Sequence, residues 1–151
     1  MPKALNISGF TITEIDCKND GLIQDEEYKE QKISWDAHAL CRPEVCGGKK
    51  FNLAFVCWDT FKREDTEYNI LGTYLYRMLK HPSAILDDII FGPFYLMNED
   101  NDGIIDLTIA DLKYILETSH KTWDRDRFNL PKMQLMMKNY LAIKIKFPEL
   151  V

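Results

Sequence analysis

Oxygen-bearing side chains recur at alternate positions in Asn98-Glu99-Asp100-Asn101-Asp102, and Gly103, Ile105 and Asp106 follow. A hard divalent cation takes six to eight oxygen ligands. Donors two residues apart on a sharply turning chain are therefore chemistry that this spacing can supply. Asn98, Asp100, Asp102 and Asp106 offer side-chain oxygens, Ile104 its backbone carbonyl, and Gly103 the turn. An upstream segment repeats the order: Asp16, Asp20 and Glu27 are the carboxylates, Leu22 the carbonyl and Gly21 the turn. Lys18 stands at the third position, where its ammonium removes a ligand and repels a divalent cation. In the downstream segment the twelfth residue is Ile109, so Asp111 is the acid that could close a lengthened loop, 98–111. The alternative for Asp106 and Asp111 is to cap or precharge the first turn of a following helix.

Such loops need amphipathic helices on either side. Phe51, Ala54, Phe55 and Trp58 have the i, i+3, i+4, i+7 spacing of an incoming helix, and Leu71, Tyr74, Leu75 and Met78 that of an outgoing one. Between them, residues 59–70 form a third loop that carries Glu64 where glycine belongs and Ile70 where an acid belongs, so it should hold no ion. After the 98–111 loop, Leu112, Ile115 and Leu116, following Asp111, mark another outgoing helix. Gly9 and the β-branched run Thr11-Ile12-Thr13 weaken the helix expected before Asp16, and Pro93 interrupts the one before Asn98. Pro131 opens a terminal helix with Met133, Met136, Met137, Tyr140 and Leu141 on one face. Ile143 to Phe147 then alternates like an extended tail.

With Asp20-Gly21-x-Ile23 closed by Glu27, and Asp100-x-Asp102-Gly103-x-Ile105, residues 8 to 118 resemble the calmodulin-like EF-hand superfamily of calmodulins, centrins and myosin light chains. The resemblance implies an all-α fold of paired helix-loop-helix units, with β-bridges between loops near Ile23 and Ile105. It implies calcium as the cofactor, and a role in sensing, buffering or docking onto a partner helix. Three units can be placed: residues 1–80 would hold a pair with loops 16–27 and 59–70, and residues 81–151 one unit plus the terminal helix. Since such units pair, the unmated face should be covered by the terminal segment, a second copy of the chain or an amphipathic helix from a target protein. The expected function is non-enzymatic docking onto a target segment with weak or no calcium regulation. The alternative is a calcium sensor or buffer working through loops 16–27 and 98–111.

Composition narrows the rest. A net charge of −5, without a Lys/Arg block, argues against nucleic acid as a partner. A hydrophobic content of 46% excludes disorder, yet no apolar run is long enough for a membrane span. Met1-Pro2-Lys3-Ala4 leads into mixed polar sequence rather than a secretory signal, and four irregularly spaced cysteines read as reduced thiols. A cytoplasmic setting is therefore expected, and the family resemblance implies association with the cytoskeleton. His38, Cys41, Cys46 and Cys57 lack the tight paired spacing of structural zinc sites, and Cys17 should be exposed and oxidisable. His81 and His120 stand alone, with no nucleophile arrangement to suggest an enzyme.

Overall fold

Phe51-Asn52-Leu53-Ala54-Phe55-Val56-Cys57 places its bulkiest apolar residues at every second position, and in the computed structural model this segment is a strand rather than a helix. The structure describes residues 1–9, 11–26, 35–46, 49–58, 67–79, 89–119 and 130–151. In chain order these contain strands β1 (Lys3–Ile7), β2 (Ile12–Asp16), β3 (Trp35–Cys46) and β4 (Lys49–Trp58), then helix α1 (Ile70–Leu79). Strands β5 (Phe94–Asp100) and β6 (Gly103–Ile105) and helices α2 (Ile109–Thr118) and α3 (Leu130–Lys146) complete them.

The strands form one antiparallel sheet in the order β2-β1-β5-β4-β3, with the short β6 paired to the end of β5. Two hairpins, β1–β2 and β3–β4, are thus joined by a later strand, β5, which pairs with β1 on one side and β4 on the other. Facing residues in a ladder share a side, so the registers Leu5↔Leu96 and Phe55↔Leu96 put these side chains on one face. Asn6↔Tyr95 and Val56↔Tyr95 put the intervening ones on the other.

Both faces are covered. The first, with Leu5, Ile7, Phe51, Leu53, Phe55, Phe94 and Leu96, packs against Leu71, Tyr74 and Leu75 of α1. Leu112, Ile115 and Leu116 of α2 and Met136 and Ile143 of α3 complete this core. Phe55 and Phe94 stack at 4.9 Å between ring centroids, and Phe55 meets Tyr76 edge-on at 5.4 Å. On the second face Ala4, Val56, Tyr95, Met97 and Ile104 form a smaller core beneath Cys17 and Ile23 of the turn after β2. Burial on both sides explains why Phe94-Tyr95-Leu96-Met97 is continuously apolar.

The all-α expectation and the EF-hand resemblance are therefore overturned: the fold is α/β, with helices on one face of an antiparallel sheet. Residues 12–15, 51–58 and 94–97, read as parts of incoming helices, lie in strands, as do the loop starts Asp16 and Asn98–Asp100. Near Ile23 and Ile105, where bridges to partner loops were expected, Ile23 instead pairs with Cys17 in its own turn and Ile105 with Asn98. Helices do follow residue 70, residue 109 and residue 130, but they pack on the sheet rather than across ion loops. The tail expected to be extended from Ile143 is helical as far as Lys146.

Candidate functional site

The acidic segments that invited a metal reading are hairpin turns. In the turn after β2, Cys17 and Ile23 pair, the Gly21 amide donates to Lys18 O at 2.9 Å, and Gly21 has φ +92°. Asp20 Oδ1 accepts from the Leu22 amide at 3.1 Å, a local turn bond of the kind aspartate makes two residues ahead. In the β5–β6 hairpin Asp100 pairs with Gly103, and Asp100 Oδ1 accepts from the Asp102 amide at 2.8 Å. Carboxylates two residues apart, then a glycine, thus serve backbone amides and a positive φ, the same residue types that a cation loop needs.

Asn98, Asp16 and Asp106, also candidate ligands, are similarly engaged, whereas Asp102 is exposed. Asn98 is buried and its Oδ1 accepts from the Asn52 amide of β4 at 3.0 Å. Asp16 pairs with Lys3 Nζ at 2.6 Å, and Asp106 accepts from the Lys3 amide at 2.8 Å. The hydrogen bond and charge of Lys3 hold the Asp16 carboxyl below its ordinary range and raise the Lys3 ammonium in return. Ile104 is buried in the second core, while Leu22 is exposed. Among the described residues no group of three or more His, Cys, Asp or Glu side chains could hold a metal ion, which overturns the calcium-binding description. Glu27, Asp59, Glu64, His81 and His120 lie outside the described residues, as do the side chains of His38, Cys41 and Cys46. Cys57 is buried in the main core. Cys17 is also buried, contrary to expectation, and burial pushes its thiol up to about 11.

Asp111 closes a helix cap. The Asp111 amide donates to Thr108 Oγ1 at 3.1 Å and the Thr108 amide to Asp111 Oδ2 at 3.0 Å, the reciprocal capping box at the start of α2. Glu14 of β2 adds an acceptor for the Ile109 amide at 3.0 Å. Asp111→Ala should therefore cost about 1 kcal/mol of folding stability in a urea melt. A loss below about 0.3 kcal/mol would show that the Asp111 carboxylate's half of the box contributes nothing.

An unexpected surface lies on α3. Of the ten large apolar side chains exposed among the described residues, four are on this helix: Leu130, Met137, Leu141 and Ile145. Their exposures are 59%, 46%, 59% and 83%, the last nearly that of an extended chain. The opposite side, which faces the core, buries Met136 and Ile143 together with two polar residues, Lys132 and Asn139. Asn139 is accommodated by donating to Leu135 O at 3.0 Å and accepting from Arg77 Nη1 of α1 at 3.1 Å, and Tyr140 lies 5.9 Å from the Tyr74 ring. The face proposed from sequence is therefore split. Met136 goes inward, Tyr140 is half-buried against α1, and Met137 and Leu141 point to solvent. A surface helix normally shows the reverse arrangement, with polar residues outward.

Two other surfaces are weaker. A shallow depression of about 370 Å³ is lined by Phe51, Asn52, Asn98, Glu99, Asp100, Asn101 and Ile105, but the Asn98 carbonyl in it is already used by β4. On the second face, Asp25 Oδ2 accepts from Asn6 Nδ2 at 2.8 Å and from the Tyr95 hydroxyl at 3.0 Å, tying the turn to β1 and β5. No helix among the described residues is long and apolar enough to cross a membrane. Compared with protein-family models, with curated proteins and with solved structures, the chain matches none.

Proposed function

We propose that the chain is a non-enzymatic binding module that docks a segment of a target protein along the outer face of α3. The carrying observation is the row Leu130, Met137, Leu141 and Ile145, exposed on a helix whose inner face is already seated on the sheet and α1. Fully burying such a side chain is worth about 1.5–3 kcal/mol, of which the unbound domain forgoes roughly half or more at four positions of one stripe. Part of that gain would be spent on ordering and association, leaving a surplus suited to reversible binding. The thiol of Cys17, buried and outside any disulfide, fits the cytoplasmic setting.

The test is a fluorescence-anisotropy titration with a labelled amphipathic peptide of about 18 residues, carrying a leucine seam and uncharged flanks. The wild-type domain should bind it, and Leu141→Asp with Ile145→Asp should weaken binding by more than about tenfold. Because both positions are exposed, the double variant should stay within about 0.5 kcal/mol of wild type in a urea melt. Failure to bind, or equal binding by the double variant, would remove this reading.

A further inference from the structure

Resting on that reading, we infer that the segment docked on α3 is an amphipathic helix with acidic residues along both edges of its apolar seam. The 17 residues of α3 contain four lysines, Lys132, Lys138, Lys144 and Lys146, and no acid, whereas the whole chain is −5. At about 100° per residue, the four exposed apolar side chains occupy a strip about 80° wide, interrupted by the exposed Gln134 one turn after Leu130 and centred opposite Lys132, Met136, Asn139 and Ile143. On the same wheel Lys144 falls at one edge of the strip and Lys138 at the other. Both are exposed, and neither makes an ion pair among the described residues. The Lys144 ammonium lies 5.8 Å from the centroid of the Tyr140 ring, which holds it beside the strip.

These positions are where paired helices place the charges that choose their partner. A seam flanked on both sides by ammonium groups selects carboxylates at the facing edges, since like charges there are destabilising. A second copy of this helix would set lysine against lysine, so a copy docked through the same face is disfavoured. The strip is also narrower than the stripe of about 100° or more by which a helix seats on a broad apolar core, and is closer to the seam of paired helices, which suits a single partner helix. From Leu130 to Ile145 it runs about 22 Å, the length of four helical turns.

Three probes separate the possibilities: the same leucine-seam peptide with glutamate flanks, with lysine flanks, and vesicles of phosphatidylglycerol. At low salt the glutamate-flanked peptide should bind at least about tenfold more tightly than the lysine-flanked one, and the ratio should shrink in about 0.5 M salt. Lys138→Glu with Lys144→Glu should reverse the preference with only a small loss in the melt, since both side chains are exposed and Lys144 gives up only a surface ring contact and a favourable place in the last turn. Equal affinity for the two peptides would overturn the acidic partner and leave docking on α3 intact. Binding of neither peptide would remove the docking reading itself. Binding to vesicles alone, or a dimer in sedimentation that Leu141→Asp dissolves, would overturn the proposal in favour of a membrane surface or a second copy.

Discussion

Asn69→Ala should destabilise the fold by about 3–5 kcal/mol, because one buried amide serves three structural elements at once. Asn69 immediately precedes α1, and its Oδ1 accepts from the Gly72 amide at 2.9 Å, the geometry of an N-cap. Its Nδ2 donates to Ile7 O at the end of β1 and to Gly92 O in the bend before β5, both at 2.8 Å. The Asn69 backbone adds bonds from its amide to Ile90 O and from the Thr73 amide to its carbonyl, each 2.9 Å. Gly72 keeps the helix close, for a Cβ there would lie 3.0 Å from Phe94 Cβ. Alanine would leave one amide and two carbonyls without these partners, in a region where Asn69 itself is wholly buried. Asn69→Ser should recover only the cap, about 1 kcal/mol of the loss. Urea melts measure both variants. An alanine variant within about 1 kcal/mol of wild type would mean that Asn69 does not tie α1 to the sheet.

How much of this fold could be read from residues alone depends on which spacings distinguish a helix from a strand. Positions four apart share a face in both, so Phe51 and Phe55 fit an incoming helix as well as β4. Leu53 and Cys57, buried beside them, decide for period two, and only Ala54 and Trp58 supported the helical alternative. At β2 the contrary signal was plain, since Gly9 and Thr11-Ile12-Thr13 disfavour helix, and Ile12 to Asp16 is indeed extended. Helices α1 and α2 were legible because Leu71, Tyr74 and Leu75, and Leu112, Ile115 and Leu116, pair positions three and four apart, including steps that no strand face accommodates. The placing of β5 between β1 and β4 has no local signal, because it arises from pairing between distant segments.

The same reasoning explains the sites. Aspartate oxygens at alternate positions before a glycine satisfy either a cation or the amides of a tight turn, and local sequence does not choose between them. For Asp111 the capping alternative could be read directly, since Thr108 stands three residues before it. The α3 surface was obscured by an excess of signal. Residues two apart on a helix lie about 200° apart, so Ile143, Ile145 and Phe147 alternate between its faces while imitating a strand. Ile143 and Phe147 turn inward and Ile145 outward. The informative pattern was apolar residues on both sides of one helix, with Lys132 and Asn139 drawn inward by the partners available there.

Gly103→Ala should be far costlier than Gly21→Ala, a contrast that separates stacked hairpin turns from a pair of equivalent loops. Both glycines close an Asn-Asp-Gly step, Asn19-Asp20-Gly21 and Asn101-Asp102-Gly103, and both have positive φ, +92° at Gly21 and +124° at Gly103. Strain at such a backbone is worth about 1–2 kcal/mol for an L-residue. Their surroundings differ. A Cβ on Gly21 meets nothing within 4 Å, so its substitution should cost that backbone term alone. A Cβ on Gly103 would sit 2.7 Å from the Asn19 carbonyl oxygen, the atom that accepts from the Ile104 amide at 3.0 Å. The two turns would have to separate, breaking that bond and lifting Ile104 from Cys17 and Ile23 in the second core. The expected total is about 3–4 kcal/mol, combining strain with a lost hydrogen bond and loosened apolar contact. Equilibrium urea unfolding of the two variants in parallel gives the comparison. Equal losses would show that the turn after β2 does not rest on the β5–β6 hairpin, and that the second face of the sheet is closed in some other way.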